Sequence, residues 1–401
     1  MKRRLLLAAG LSGGLLLGLN QEARAQVEND ERPMRFNGME FRSADSLFYI
    51  NFRFRMQNRA GFISKSGTDL SVREYDARVR RLRLRADGYV LTEKLGYSLQ
   101  LSFSRGDQDF ESLGVANIVR DAVIFYNVTP NLYFAFGLNK QPGNRQRVVS
   151  SGQLQFAERS IVNAALTIDR DFGIKAYYTH PLGPVALYSL KGAITTGEGR
   201  GPNGSGPGLA YTGRAELLPL GAFKGGGDYS EGDIEREPTP KVSLAAGYSY
   251  NRQTVRSGGQ LGVELYSPVD LGTFITDAMV KYQGWAYQTE YMRRTSPNPF
   301  TYDSTNDLRY AFVGQGLNQQ LSYYFPSGWE PALRYSWLQP NRVLREQVDQ
   351  QDVLEFGLTK YLRKHRVKAQ LNASYQPARG NWDLDAPGNR WGGVFQFELG
   401  I

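Results

Sequence analysis

The stretch Leu95-Gly96-Tyr97-Ser98-Leu99-Gln100-Leu101-Ser102-Phe103-Ser104 alternates side chains without a break, Leu, Tyr and Phe at odd positions and Gly, Ser and Gln at even ones. Successive side chains of a β-strand point to opposite faces, so a period of two builds one apolar and one polar face. Upstream the same period sets Phe48, Ile50, Phe52, Phe54 and Met56 against Tyr49, Asn51, Arg53, Arg55 and Gln57. It returns at 242–249 and 367–375, and it closes the chain, where Phe395, Phe397, Leu399 and Ile401 face away from Gln396 and Glu398. No comparable helical period exists outside the N-terminus.

Such alternation fits a soluble sandwich or a membrane barrel. Three features favour the barrel. The strands run about 9 to 12 residues, the length a tilted strand needs to cross a bilayer. Tyr89, Tyr126, Tyr133, Trp285, Tyr287, Tyr291 and Trp391 fall near strand ends, where interfacial girdles need aromatics. The polar faces carry more charge than the wet side of a sandwich requires, which a water-filled lumen explains. Segment counting gives about 16 or 17 strands, with 308–314 and 318–325 counted separately, and the even-number rule selects 16. The expected fold is all-β, a transmembrane antiparallel β-barrel enclosing an aqueous channel. Short turns at 129–131 and 181–183 are expected to face the periplasm.

The compartment follows from the N-terminus. Lys2, Arg3 and Arg4 precede an apolar stretch over 5–19, and Ala23-Arg24-Ala25 offers a small-x-small cleavage site. Residues 1–25 therefore read as a secretory signal, 26–46 as a charged, structureless periplasmic segment, and 47–401 as the barrel. The 401 residues include no Cys, which excludes disulfide scaffolds, thiol enzymes and Cys-ligated metal centres. Lys and Arg number 48 against 39 Asp and Glu, a net charge of +9. An exported chain does not meet nucleic acid, so that excess serves another partner.

The charge is densest in 78–87 (RVRRLRLRAD). Leu82, Leu84 and Ala86 share one face, so Arg81, Arg83, Arg85 and Asp87 share the other, at intervals of about 7 Å. Arg53 and Arg55 extend this wall, while strict alternation sets Arg80 on the side of Leu82. A guanidinium is always charged and its planar fork matches phosphate or carboxylate oxygens, so a ladder of them can replace an anion's water with successive weak sites. The alternative is that these arginines pair internally with Glu74, Asp76, Asp87 or Glu93. Two long segments interrupt the strands. The Gly- and Pro-rich 197–208 reads as a flexible external loop, whereas 140–170, with Val148, Val149, Leu154, Phe156, Ile161 and Val162, reads as a packed loop. His180 and His365 read as surface residues in or near turns. No catalytic triad, metal-ligand spacing or cofactor motif is present, although a barrel enzyme acting on envelope lipids or peptides stays open as an alternative.

Several segments together resemble the phosphate-selective porin O and P family of outer-membrane proteins: 78–104, 120–137 and 150–173, with weaker echoes at 287–295 and in the closing strand. The resemblance implies a 16-stranded, homotrimeric pore in the outer membrane of a Gram-negative bacterium, surrounded by lipid and passing small anions such as phosphate or polyphosphate. It implies that 140–170 folds inward as a constriction loop. Within that loop Ser150, Ser151 and Arg159 match anion-contacting positions, and Arg147 stands where phosphate-specific members carry Lys. Arg80 and Arg81 match the paired arginines of the family, and Arg55 one on the first strand. Gly96 replaces a family Lys, and Arg120, followed by Asp121, falls where an acidic residue is expected, which favours anion preference over phosphate selectivity. A general, non-specific porin is the second reading.

Overall fold

Sixteen antiparallel strands, each paired with its sequence neighbour, close into a barrel because the last, β16 (Arg390–Gly400), pairs with the first, β1 (Phe48–Ser64). The computed structural model describes residues 34–37, 39–104, 117–200 and 208–401, so the expected signal segment 1–25 lies outside the described residues. Between the two seam strands run β2 (Val72–Val90), β3 (Thr92–Ser102), β4 (Val119–Thr129), β5 (Leu132–Lys140), β6 (Arg170–Leu182), β7 (Ala186–Thr195) and β8 (Ala210–Leu218). The circuit continues through β9 (Lys241–Arg256), β10 (Glu264–Tyr282), β11 (Trp285–Thr295), β12 (Gly314–Tyr323), β13 (Trp329–Pro340), β14 (Gln351–Arg363) and β15 (Val367–Gln376).

The surplus seventeenth segment resolves simply. Within 308–314 only Leu308–Tyr310 forms a separate strand, paired with Phe300–Tyr302 in a small hairpin outside the barrel, and Gly314 already begins β12. Segment 26–46 is not structureless throughout: Met34–Asn37 pairs with Glu40–Ser43, which in turn continues the sheet at Tyr49–Asn51 of β1.

Alternation delivers the two faces. Phe52, Leu99, Leu244, Leu371 and Phe395 are exposed on the outside, where hydrocarbon replaces water, while their neighbours Gln57, Ser98, Ser243, Gln370 and Gln396 are buried in the lumen. Tyr126, Trp285 and Tyr287 are exposed as girdle positions require. Tyr89 and Tyr133 are not girdle residues: each lies on the lumen side of its strand, stacked on Tyr49 and Tyr177 respectively.

The two rims differ. On one, adjacent strands join through one to five residues, as at Leu91, Pro130-Asn131 and Gln283-Gly284; the exception is 219–240 between β8 and β9. Gly284 has φ 97°, and a Cβ there would collide with the Tyr324 carbonyl, so this tight turn requires glycine. The long connections, 141–169 among them, lie on the other rim.

Candidate functional site

The connection after β5 enters the barrel and docks on its far wall. It carries two short helices, α1 (Arg145–Val148) and α2 (Ile161–Leu166), the latter capped by Ser160 accepting from the Asn163 amide. Val162, Leu166 and Ile168 pack on Ile275, Met292 and Leu338, three apolar residues that break the polar-inside rule of their strands. Burying each such side chain contributes roughly 1.5–3 kcal/mol, so this patch holds the loop. Polar anchors fix its register. Arg145 pairs with Asp277 at 2.5 Å, the Asn144 amide donates to Glu290 at 3.0 Å, Arg294 donates to the Leu166 carbonyl at 3.0 Å, and Lys368 donates to the Leu154 carbonyl at 2.7 Å. The expected packed loop is therefore the constriction, and Val149, Leu154, Phe156 and Val162 are its buried contacts.

What remains open is a cavity of about 1190 Å³ between the loop and the wall formed by β1 to β6 and β16. All ten residues expected from the sequence line it: Arg53, Arg55, Arg80, Arg81, Arg83, Arg85, Arg147, Ser150, Ser151 and Arg159. No residue of β7 to β15 does. Arg200 and Gly262, from long connections, lie at one end, and Arg366 and Ile401, from the short-turn rim, at the other. Residues from both rims thus border the cavity, which lies along one side of the lumen.

The alternating reading of Arg80 fails for a definite reason. Gln57 faces Arg81 but Asn58 faces Val79, so Arg80 is the extra residue of a β-bulge. The bulge turns Arg80 inward beside Arg81, and both reach the loop carboxylate Glu158, to which Arg59 also donates at 2.6 Å. Burial would raise the pKa of Glu158, but Arg81, Arg80 and Arg59 hold it down to about 2. A second bulge lies on β4. Gln100 faces Asp121 and Leu101 faces Val119, so Arg120 is its extra residue. Arg120 and Asp121 are accordingly both buried in the lumen, and Asp121 pairs with Arg170 at 2.8 Å.

Part of the ladder is internally paired, as the alternative anticipated. Asp87 takes both Arg53 and Arg85, and Asp76 takes Arg59 and Arg78. Glu74 and Glu93 appear in no ion pair among the described residues; the further acids come from the loop and the last strand. Arg55 bonds the hydroxyls of Ser150 and Ser151 at 3.2 Å and Glu398 at 3.3 Å, and Arg83 donates to Ser151 at 2.9 Å. Arg147 pairs with Asp169, and Arg159 donates to the carbonyls of Gln146 and Val149 at 2.6 and 2.8 Å. Carbonyl oxygens carry no net charge, so the Arg159 cation keeps its field at the cavity.

The ten expected residues did not include Arg59, which reaches Glu158, or the cavity-lining Arg120, Lys140, Arg170, Arg200 and Arg366. Arg59 was legible, since it continues the polar face of Arg53, Arg55 and Gln57; Arg120 depends on a bulge, Lys140 and Arg170 on where β5 ends and β6 begins, and Arg200 and Arg366 on connections whose paths only the fold defines. Thirteen Arg and Lys line the cavity against four Asp and Glu. In a narrow, partly desolvated passage such an excess acts at an effective dielectric well below that of water. The histidines diverge: His180 is exposed, whereas His365 turns inward to the cavity, 3.0 Å from the Ser230 hydroxyl, and is not the surface residue expected. Among the described residues no cluster of His, Asp and Glu could hold a metal ion.

The sequence profile described as "Phosphate-selective porin O and P" matches residues 50–376. Solved structures share the fold at low identity. OmpT of Vibrio cholerae in its trimer form is 10% identical, with 88% of this chain and 99% of that one covered at a TM-score of 0.54. The outer membrane channel DcaP of Acinetobacter baumannii is 10% identical over 88% and 97%, with a TM-score of 0.52. Salmonella typhi OmpF, solved with daunomycin, is 12% identical over 92% and 100%, with a TM-score of 0.55. At these identities the likeness shows fold alone. No curated protein sequence matches the chain.

Proposed function

The chain belongs to the phosphate-selective porin O and P family and is a porin of the Gram-negative outer membrane; from that premise we propose that it conducts small anions by passive diffusion along the arginine wall. Family and structural neighbours point to a channel rather than an enzyme. The observation that carries the anion preference is the thirteen-to-four excess of basic over acidic residues around the cavity. Arg81, Arg83 and Arg159, with the hydroxyls of Ser150 and Ser151, offer an anion successive donors. Each site recruits the ion yet releases it, because its donors already have internal partners to return to. Phosphate is a suitable cargo, since its oxygens match the guanidinium fork. The trimer form of Vibrio OmpT supports a homotrimer here, and residues 1–25 act as an export signal with the segment to residue 46 in the periplasm.

A weakly selective general porin is favoured by a specific observation: Asp87, Asp121, Asp169 and Glu158 neutralise part of the ladder. Reversal potential in a planar bilayer under a KCl gradient separates these readings from a cation-selective or non-conducting protein, either of which would refute the proposal. Added phosphate is expected to reduce chloride current; unaltered current would leave a general anion-preferring pore.

A further inference from the structure

Residues 219–240 form the long exception on the short-turn rim, and they do not hang outside it. Ser230, Glu231, Gly232, Asp233 and Ile234 are buried inside the lumen. Lys281 of β10 donates to three carbonyls of the segment, Gly227 at 2.7 Å, Ser230 at 2.8 Å and Gly232 at 2.6 Å. Gly232 lies so close to Glu330 of β13 that a Cβ would collide with the carboxylate. The segment also clasps the constriction loop: the Glu231 carboxylate accepts from the Gln155 amide at 2.8 Å, the Glu231 amide donates to the Gln153 carbonyl at 3.1 Å, and Arg145 donates to the Asp228 carbonyl at 2.6 Å. Only its edge residue Tyr229 reaches the open cavity.

The wall behind it is covered jointly, Lys281 and Glu330 by this segment and Ser243, Asp277, Gln320, Ser322 and Lys368 by Arg145, Leu154 and Gln155 of the constriction loop. Inward-facing Ser243, Asp277, Lys281, Gln320, Ser322, Glu330 and Lys368 are all buried, although they belong to a face that would line water in an open barrel. On the opposite wall the side chains of Arg53 and Arg85 keep 48% and 41% of their exposure.

From this we infer that 219–240 is a second constriction element, a wedge from the periplasmic rim that fills the lumen beside β9 to β15 and forces permeating anions onto the arginine wall. The inference rests on the porin reading above. The constriction loop blocks that side from one direction and the wedge from the other, with Glu231 as the positioning residue between them and Lys281 as the anchor.

The test is single-channel conductance in KCl of two variants, Lys281→Met and a chain in which residues 222–236 are replaced by a short Gly-Ser turn, each checked for barrel folding by heat-modifiable migration. Releasing or removing the wedge opens cross-section, so conductance is expected to rise about twofold or more. Unchanged conductance in either folded variant would overturn the inference. As a second readout, Glu330→Cys, beside Gly232 of the wedge, in the otherwise thiol-free chain is expected to react with a membrane-impermeant thiol reagent only once the wedge is released; equal reaction with the wedge in place would also overturn it. A parent channel lacking anion preference would refute the anion-conduction proposal while leaving these predictions intact, so the two failures are distinguishable.

Discussion

The two halves of the lumen wall are made from the same kind of strand and end in opposite states. Strands β1 to β6 present arginines to an open passage, whereas β9 to β15 present a mixed set of Asp, Glu, Lys, Gln and Ser that is covered by two inward segments. The difference is not one of polarity. It lies in the balance of charge and in what covers the wall. On the covered side Asp277 meets Arg145, Glu290 meets Asn144, and Lys281 and Lys368 meet backbone carbonyls, so their desolvation is offset by hydrogen bonds. On the open side the arginines have protein partners as well, but positive charge outnumbers negative there, so a net positive field remains over the cavity.

This contrast can be broken from the covered side first. Phe156 is buried against the Arg334 guanidinium, 4.2 Å from its ring centre, and its ring lies where a Cβ at Gly357 would crowd it. Phe156→Ala is expected to lower the opening free energy of the constriction loop by about 3 kcal/mol. Hydrogen exchange of the Ala157 amide, which donates to Asn372 at 2.9 Å, measures it. An unchanged exchange rate would mean that the loop is held elsewhere.

A smaller effect is expected from the open side. Removing Arg81 and Arg83 together, as Ala, takes from the ladder two guanidiniums that face the constriction loop at Glu158 and Ser151. The anion-to-cation permeability ratio should fall about tenfold, equivalent to about 1.4 kcal/mol. Reversal potential reads this directly, and an unaltered ratio would show that selectivity arises elsewhere in the lumen.

The smallest change concerns the junction between the halves. Glu158 ties the loop to Arg59, Arg80 and Arg81. Glu158→Gln keeps the shape and removes the counter-charge, so phosphate should block chloride current at a severalfold lower concentration. Acid acts on the same group. Its pKa in the folded protein lies below the 4.5 of an ordinary Glu, so its stabilising contribution is complete above about pH 4.5 and is lost as pH falls through about 2. Phosphate block measured from pH 7 downward should therefore be insensitive to this group until strongly acid conditions; a step near pH 5 would contradict the clamp.

The faces of the strands were legible because a period of two is local: Ser98, Leu99 and Gln100 need only their own backbone to decide which side each takes. Strand number was nearly legible, with 308–314 miscounted because a short hairpin outside the membrane has the same local composition as the start of a strand. Arg81, Arg83, Ser150 and Ser151 could be named in advance, the first two from alternation and the serines from family resemblance. Arg80 could not be placed, because a bulge is a property of two strands in register and is invisible in either alone.

By itself, then, the order of residues determined that this chain forms long two-faced strands with guanidiniums concentrated on one of them, since side-chain direction follows from the pleat. Tertiary structure alone decided which part of the lumen stays open. The route of 141–169, the inward turn of 219–240 and the partners of Glu158 depend on contacts between residues up to more than two hundred positions apart, as between Leu154 and Lys368, and no local pattern encodes such distances.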